Sequence, residues 1–373
     1  MSNSRAENLN THGLAPSIPR KRGVPAPNLA QCVTADVRVV HKHPPEPGAS
    51  RTPMVRHDYC VSGGIAAGQR GKGNHVQING VTIEDTFAEA FGMKATRIRV
   101  TAIDERWARQ AGETMTGFAT SVIGCGVEAG IEHTLPPGDT PDGRPGVSIL
   151  LFAMSDQDLA KHLERRVGQC ILTCPTTAVF AGMEGGEPVP LGKNLRFFGD
   201  GWQIAKQIGA KRYWRIPVMD GEFLAEETTG RCKAVGGGNF LVLADSQRAA
   251  LGACEAAIAA MRRIRNVVMP FPGGIVRSGS KVGSKYKALM ASTNQAYCPT
   301  LRGLVDSQLD QGVRSVMEIV VNGLTPEDVS AAMRVGILAA CESGAAQGVL
   351  RISAGNYGGK LGQFHFRLRE VMA

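Results

Sequence analysis

One order of elements, strand–helix–strand–strand–helix–strand, is written twice between about Asn74 and the end of this chain. That duplication narrows the folds open to it more than any other feature. In the first copy Arg97-Ile98-Arg99-Val100-Thr101 alternates like a strand, and Asp104 opens a helix through Trp107 and Ala111. Thr120-Ser121-Val122-Ile123 reads as the second strand and Val147-Ser148-Ile149-Leu150-Leu151-Phe152 as the third. Ser155 with Asp158 makes a capping box, its helix lays Leu159, Leu163 and Val167 on one stripe, and Cys170-Ile171-Leu172 closes the unit.

The second copy opens with Asn239-Phe240-Leu241-Val242-Leu243-Ala244, and Ser246 starts an alanine-rich helix to about Arg263. Asn266-Val267-Val268-Met269 follows, then a long glycine- and serine-rich excursion, then the strand Val316-Met317-Glu318-Ile319-Val320-Val321. Thr325-Pro326-Glu327-Asp328 is a capping box with proline at the first helical position. Its helix buries Val329, Met333, Gly336, Ile337 and Ala340, and Val349-Leu350-Arg351-Ile352-Ser353 ends the unit. Arg166-Val167-Gly168 and Arg334-Val335-Gly336 rhyme at the helix ends. Both copies fit the split βαβ pattern. The fold class is α+β: two similar ferredoxin-like lobes from an internal duplication, with inserted strands between them. Leu195-Arg196-Phe197-Phe198 and Tyr213-Trp214-Arg215-Ile216-Pro217-Val218 are the strand-like pieces of that insertion, over residues 174–236. The lobes divide as 76–236 and 237–373.

Residues 1–75 stand apart. They hold ten Lys/Arg against four Asp/Glu, so they carry +6 of the net +9, and eight of the twenty prolines. This stretch reads as a disordered or over-extended N-terminus. Its Arg20-Lys21-Arg22 cluster is more a solvated tail than a nucleic-acid contact. The rest of the chain is only slightly basic, so no nucleic-acid partner is expected. No apolar run approaches the roughly 18–20 residues that span a bilayer, and the start resembles no signal peptide, so a cytoplasmic protein with no membrane contact is expected. The nine cysteines form no CxxC pair and read as reduced thiols. Cys170 and Cys174 lack the His/Cys partners of a zinc site, so no metal is expected.

Within this frame Glu318 is the anomaly. A carboxylate seldom sits in an aliphatic strand unless it is paired, protonated or working. In the split βαβ order the first and third strands are central and helices cover one face. Met317, Ile319 and Val321 then face the helices, while Arg314, Val316, Glu318, Val320 and Asn322 share the open face. Glycine-rich polar turns follow the strands of the same lobe. Gly236-Gly237-Gly238-Asn239 precedes it. Phe271-Pro272-Gly273-Gly274-Ile275-Val276-Arg277 and Ser278-Gly279-Ser280-Lys281-Val282-Gly283-Ser284-Lys285 follow its second strand. Ala291-Ser292-Thr293-Asn294 and Ser353-Ala354-Gly355-Asn356 complete the set. Together they point to a cleft for a large, polar, anionic molecule. The chain has no GxSxG elbow, no HExxH and no GxGxxG between a strand and a helix. Gly355-Asn356-Tyr357-Gly358-Gly359-Lys360-Leu361 is one residue short of a phosphate loop, with Leu where Ser or Thr binds magnesium.

From about residue 76 onward the chain resembles the formylmethanofuran:tetrahydromethanopterin formyltransferase family. The blocks that carry the likeness are Ile78-Asn79-Gly80-Val81-Thr82-Ile83-Glu84-Asp85-Thr86-Phe87-Ala88-Glu89-Ala90-Phe91, Thr140-Pro141-Asp142-Gly143-Arg144-Pro145-Gly146-Val147 and Phe197-Phe198-Gly199-Asp200-Gly201, with the turns above, Glu318-Ile319-Val320-Val321-Asn322-Gly323-Leu324 and the run from Ile352 to Gln363. The resemblance implies a homotetramer and reversible formyl transfer between methanofuran and tetrahydromethanopterin. It implies no metal and no tightly bound cofactor, and it puts the family's catalytic glutamate on Glu318. The slightly basic core and the tail look more like the relative in methylotrophic bacteria. There the transferase is one component of a formyltransferase/hydrolase complex that oxidises one-carbon units to formate, using variants of both coenzymes. Gly273, Gly274, Ser278, Ser280, Lys281, Ser284, Lys285, Asn294, Asn322 and Asn356 are the expected substrate-binding residues. The rivals are a formyl-cysteine on Cys298 or Cys174, RNA stacking on the open face (which offers no aromatic between Arg314 and Asn322), and a non-catalytic scaffold subunit.

Overall fold

The computed structural model describes residues 76–373. The expectations about residues 1–75, including Arg20-Lys21-Arg22, lie outside the described residues. In the first lobe β1 (Phe87–Thr101), α1 (Glu105–Thr116), β2 (Glu128–Leu135), β3 (Gly146–Ala153), α2 (Asp156–Arg166) and β4 (Ala178–Ala181) form one unit. The antiparallel pairs β4·β1, β1·β3 and β3·β2 give the sheet order β4-β1-β3-β2. Next come the hairpin strands β5 (Lys211–Val218) and β6 (Gly221–Glu226), then the second unit. It comprises β7 (Thr228–Ala244), α3 (Gln247–Met261), β8 (Val267–Val268), β9 (Ser315–Gly323), α4 (Pro326–Ala340) and β10 (Val349–Ser353). Here the pairs β10·β7, β7·β9 and β9·β8 repeat the same order, β10-β7-β9-β8. The duplication is therefore present in the hydrogen bonding, not only in element order.

Each helix starts where a short polar side chain caps it. The Asp104, Ser155, Ser246 and Thr325 side chains accept from N–H groups of Trp107, Asp158, Ala249 and Asp328. At Thr325 the box is reciprocal, because the Asp328 carboxylate accepts from the Thr325 N–H at 3.1 Å. The helices cover one face of each sheet. In the second lobe Phe240, Val242, Ile319 and Val321 meet Ala253, Ala257, Met333 and Ile337. Close approach of α3 to α4 needs glycine at 336, where a Cβ would lie 2.5 Å from the Met261 sulfur.

Three strand expectations are corrected. Ser121 caps a short helix, Val122–Cys125, so the second strand is β2 instead of Thr120–Ile123. Cys170-Ile171-Leu172 is not extended either. Val167 and Ile171 are both buried, so the apolar stripe of α2 continues one more turn and the strand waits until Ala178. Leu195-Arg196-Phe197-Phe198 is a helical turn with Leu195 buried and both phenylalanines exposed. The Arg-Val-Gly rhyme is also out of register, since Arg166 lies two residues further from its cap Ser155 than Arg334 does from Thr325.

The lobes share strands. β1 pairs with β7 over Phe91–Thr96 and Arg231–Gly236 before each strand enters its own unit. The change of partner in β7 falls at Gly236-Gly237, beside a register shift against β9, with Gly237 at φ +91. Val81–Ile83 pairs in parallel with β10, and Val81, Ile83, Ala88 and Ala90 pack into the second lobe's core. The inserted hairpin extends the first lobe's sheet, with β6 parallel to β4.

Candidate active site

β9 alternates as its sequence requires. Ile319 and Val321 are fully buried against the helices, and Glu318 points to the other face. Its cross-strand neighbours are Leu241 of β7 and Val276 of the short strand Ile275–Val276, both buried. The carboxyl accepts no hydrogen bond and forms no ion pair among the described residues, and it opens into a cleft of about 360 Å³. Burial, with no cation near enough to offset it, pushes its pKa up to about 7.

The chain's own excursion between β8 and β9 builds the cleft's outer wall. Tyr297, Leu309 and Val313 pack on Leu241, Leu243, Val316 and Leu350, the face that no helix covers. Arg302 ties that stretch together by donating to the carbonyls of Asp310 (2.8 Å), Gln311 (3.0 Å) and Val313 (2.5 Å). Opposite, Asn239 staples Gly355. Its Oδ1 accepts from the Gly355 N–H at 2.6 Å and its Nδ2 donates to the Gly355 carbonyl at 3.1 Å.

The structure brings Ser278, Ser280, Lys281, Asn294 and Asn356 to the lining of this cleft together with Glu318. Ser284 and Lys285 lie outside the lining, in the turn between the paired strands Lys281–Val282 and Ala291–Ser292. Gly273 and Gly274 line a different cleft of about 720 Å³ between the lobes. At Gly274 (φ +88) a Cβ would fall 2.4 Å from Ile258, so close packing on α3 explains that glycine. Asn322 is wholly buried, and its amide is committed: Oδ1 accepts from the Gly237 N–H at 2.9 Å and Nδ2 donates to Glu128 at 2.5 Å. It is not free to meet a substrate, contrary to its place among the expected substrate-binding residues.

Arg277 and Asn239, inside the turns the sequence assigned to the cleft but not among its expected substrate-binding residues, reach the lining, and sequence reasoning missed Tyr297 and Tyr357 there. The Tyr297 hydroxyl lies 3.3 Å from the Ser353 hydroxyl. Burial pushes the Tyr357 hydroxyl up, and the charges of Glu318 and Glu89 push it further. Glu89 was missed as well, although Phe87-Ala88-Glu89-Ala90-Phe91 breaks the same rule as the strand around Glu318. It is buried in β1 and accepts four backbone N–H bonds from residues 357–362. Burial alone would raise its carboxyl, but those bonds hold it at about 2. Cys298 lies on the lining with its thiol 3.4 Å from the Asn294 carbonyl, and no histidine lines the cleft. Cys174 belongs to the first lobe, and burial pushes its thiol up, away from the thiolate form.

Family models match both parts of the chain. The one described as formylmethanofuran-tetrahydromethanopterin formyltransferase covers residues 76–218, and the one for its proximal lobe covers 221–371. A Methylococcus capsulatus protein of the name formylmethanofuran–tetrahydromethanopterin formyltransferase is 69% identical over 296 residues, 79% of this chain and 99% of that one. A subunit of the formyltransferase/hydrolase complex of Methylorubrum extorquens is 52% identical over 301 residues, 79% of this chain and 97% of that one. Among solved structures, a chain of the Methylorubrum extorquens formyltransferase/hydrolase complex, crystallised with methylofuran, superposes with a TM-score of 0.78 at 51% identity, covering 80% of this chain and 99% of its own. The Methanosarcina barkeri formyltransferase gives 0.75 at 47%, covering 79% and 100%.

Proposed function

The chain belongs to the formylmethanofuran–tetrahydromethanopterin formyltransferase family, and from that premise we propose that the cleft over Glu318 is where it transfers the formyl group. It is an acyltransferase of one-carbon metabolism, moving a formyl group between methanofuran, or its analogue, and tetrahydromethanopterin. The observation that carries the site is Glu318 itself, a desolvated, unpaired carboxyl near neutrality on the wall of a polar cleft.

In the transfer a pterin amine nitrogen attacks the formyl carbon. The new C–N bond forms and the carbonyl becomes an oxyanion. On collapse the C–N bond to the methanofuran amine breaks, and that amine gains the proton the pterin nitrogen gave up. Glu318, poised to hold or release a proton, moves it between the two nitrogens. Holding both coenzymes in one cleft supplies much of the rate. Backbone N–H groups of the Ser278–Lys281 turn are the donors for the oxyanion. Arg277 and Lys281 meet acidic coenzyme arms, and Ser278, Ser280 and Asn294 orient the polar parts, while Asn356, its amide committed to Thr86, Phe87 and Gly358, shapes the wall.

The wider setting is part of the same reading. The chain works without a tightly bound cofactor, as a homotetramer in the cytoplasm. It joins hydrolase subunits in a complex like that of Methylorubrum extorquens, and serves formaldehyde oxidation to formate in a methylotroph. The likeness to the formyltransferase/hydrolase complex of that organism supports the association with hydrolase subunits. Residues 76–236 and 237–373 act as the two lobes, except that Val81, Ile83, Ala88 and Ala90 pack into the second, which holds the site. The test uses purified chain, formylmethanofuran and tetrahydromethanopterin, following the formylated pterin. Parent chain should be active alone, which separates an enzyme from a scaffold subunit. Glu318→Gln should lose about a hundredfold or more in kcat with the fold intact. Near-normal turnover in that variant would remove Glu318 from the chemistry, and turnover surviving Cys298→Ala disposes of a formyl-cysteine.

A further inference from the structure

We propose that Glu89 is the positioning residue of this cleft: its carboxylate gathers residues 357–362 into one fixed turn and so holds Tyr357 and Asn356 beside Glu318. The inference rests on the reading of the cleft given above.

Glu89 is only 1% exposed, and its two oxygens are divided evenly. Oε2 accepts from the N–H groups of Tyr357 (2.7 Å) and Gly359 (2.9 Å), and Oε1 from those of Leu361 and Gly362 (both 2.6 Å). Four donors use nearly all the lone-pair capacity of a carboxylate. No helix or strand lies between Ser353 and Phe364; the Asn356 amide closes one small turn by accepting from the Gly358 N–H (3.1 Å) and donating to the Phe87 carbonyl (3.2 Å), and beyond it the segment is held by Glu89. Gly358 and Gly359 take φ of +76 and +72, and so glycine-rich a segment has little preference for one shape. The acceptor imposes the shape.

The turn is also seated directly on β1. A Cβ at Gly362 would lie 2.4 Å from the Ala90 carbonyl oxygen, and the Tyr357 ring packs 6.1 Å from that of Phe91. Its other side is cleft wall, since Gly355, Asn356 and Tyr357 line the space with Glu318. Glu89 itself does not line the cleft. It acts through Tyr357, which covers part of the space over the Glu318 carboxyl and keeps water from it.

The decisive variant is Glu89→Gln in the full chain, because an amide nitrogen offered to two N–H groups breaks half of the clamp. Hydrogen exchange at the amides of Tyr357, Gly359, Leu361 and Gly362 should speed up about tenfold or more. KM for the coenzymes should rise about tenfold, with a smaller fall in kcat. As water reaches Glu318, the apparent pKa in the pH profile of kcat/KM should fall by about one unit. The other titratable groups on the lining, Arg277, Lys281, Tyr297 and Cys298, stay in place, and only the neutral Tyr357 phenol moves, so that shift reports the acid's cover. A purely structural role would speed exchange and leave KM and the profile where they were, and that result overturns the proposal. So does unchanged exchange. If Glu89→Gln does not fold, Gly362→Ala displaces the turn with Glu89 intact and carries the same three readouts. Near-normal turnover in Glu318→Gln would instead sink the reading of the cleft. An inactive Glu318→Gln beside a parent-like Glu89→Gln would sink only this inference.

Discussion

Below about pH 4.5 Glu318 is protonated whether the chain is folded or unfolded, so it has no effect on stability there. Between 4.5 and about 7 the unfolded chain ionises first, and the fold loses stability as pH rises. Above 7 the folded form carries the whole penalty, about 3 kcal/mol at most. Glu318→Gln removes it. The variant should therefore match the parent in denaturant melts at pH 4 and exceed it at pH 8, while losing activity at both. Equal stability at pH 8 would mean that the carboxyl is not desolvated. Glu89 has the opposite sign. Its depressed carboxyl supports the fold above about 4.5, and that support fades as pH falls toward 2. Glu318 was legible in the sequence because a strand's alternation gives each side chain a face. Asn322 was placed on that same face correctly, but its amide is taken by Gly237 and Glu128, partners distant in sequence that no local pattern reveals.

The helices were legible because their signals are local. Each begins at a capping side chain and carries an apolar stripe of matching period, as the Thr325 box shows. Thr325→Ala should accordingly cost about 1–2 kcal/mol in denaturant unfolding and leave KM unchanged. A loss of less than a few tenths would show that α4 is held by packing alone. The strands were less legible. Thr120–Ile123 and Cys170–Leu172 are short apolar runs, which periodicity cannot tell from helix, and the chain used both for helical turns. The excursion after β8 carried no periodic signal at all, so its polar residues could be assigned to a cleft but not sorted. Ser278, Ser280, Lys281 and Asn294, four of the expected residues, reach the lining, while Ser284 and Lys285 sit in a hairpin turn beyond it. The duplicated units differ at the position that matters. Ser148 stands as far before its cap Ser155 as Glu318 stands before Thr325, and it pairs with Arg99 as Glu318 pairs with Leu241. Ser148 donates to Glu132, a joint between the lobes, so only the second unit carries an acid at this position.

Repetition of a unit suggests two lobes that could fold apart, yet the connections argue that they unfold together. β1 and β7 are 15 and 17 residues long, each serving its own sheet at one end and pairing with the other strand between. This was hidden in the sequence because Gly236-Gly237-Gly238 reads as a linker. An apolar seam joins Leu150 and Phe152 of the first lobe to Val268 of the second. Beside it an ion pair of the first lobe reaches across to Asn266. Glu132 accepts from the Arg97 guanidinium (both bonds 2.9 Å), the Ser148 hydroxyl (2.8 Å) and the Asn266 N–H (2.7 Å). Asn266 belongs to the second lobe, so the carboxylate binds both. Removing it leaves the half-buried Arg97 without its carboxylate and the Asn266 N–H and Ser148 hydroxyl without their acceptor, and Glu132→Ala should cost about 3 kcal/mol. All three tryptophans, Trp107, Trp202 and Trp214, lie in the first lobe or its insertion, so their fluorescence follows that half alone. Amide exchange in α4 follows the other. In the parent the two probes should report one denaturant midpoint, and Glu132→Ala should lower both by the same amount. If α4 opened while the tryptophans still reported native structure, the lobes would be separate folding units, and the shared strands would be a tether rather than a common core.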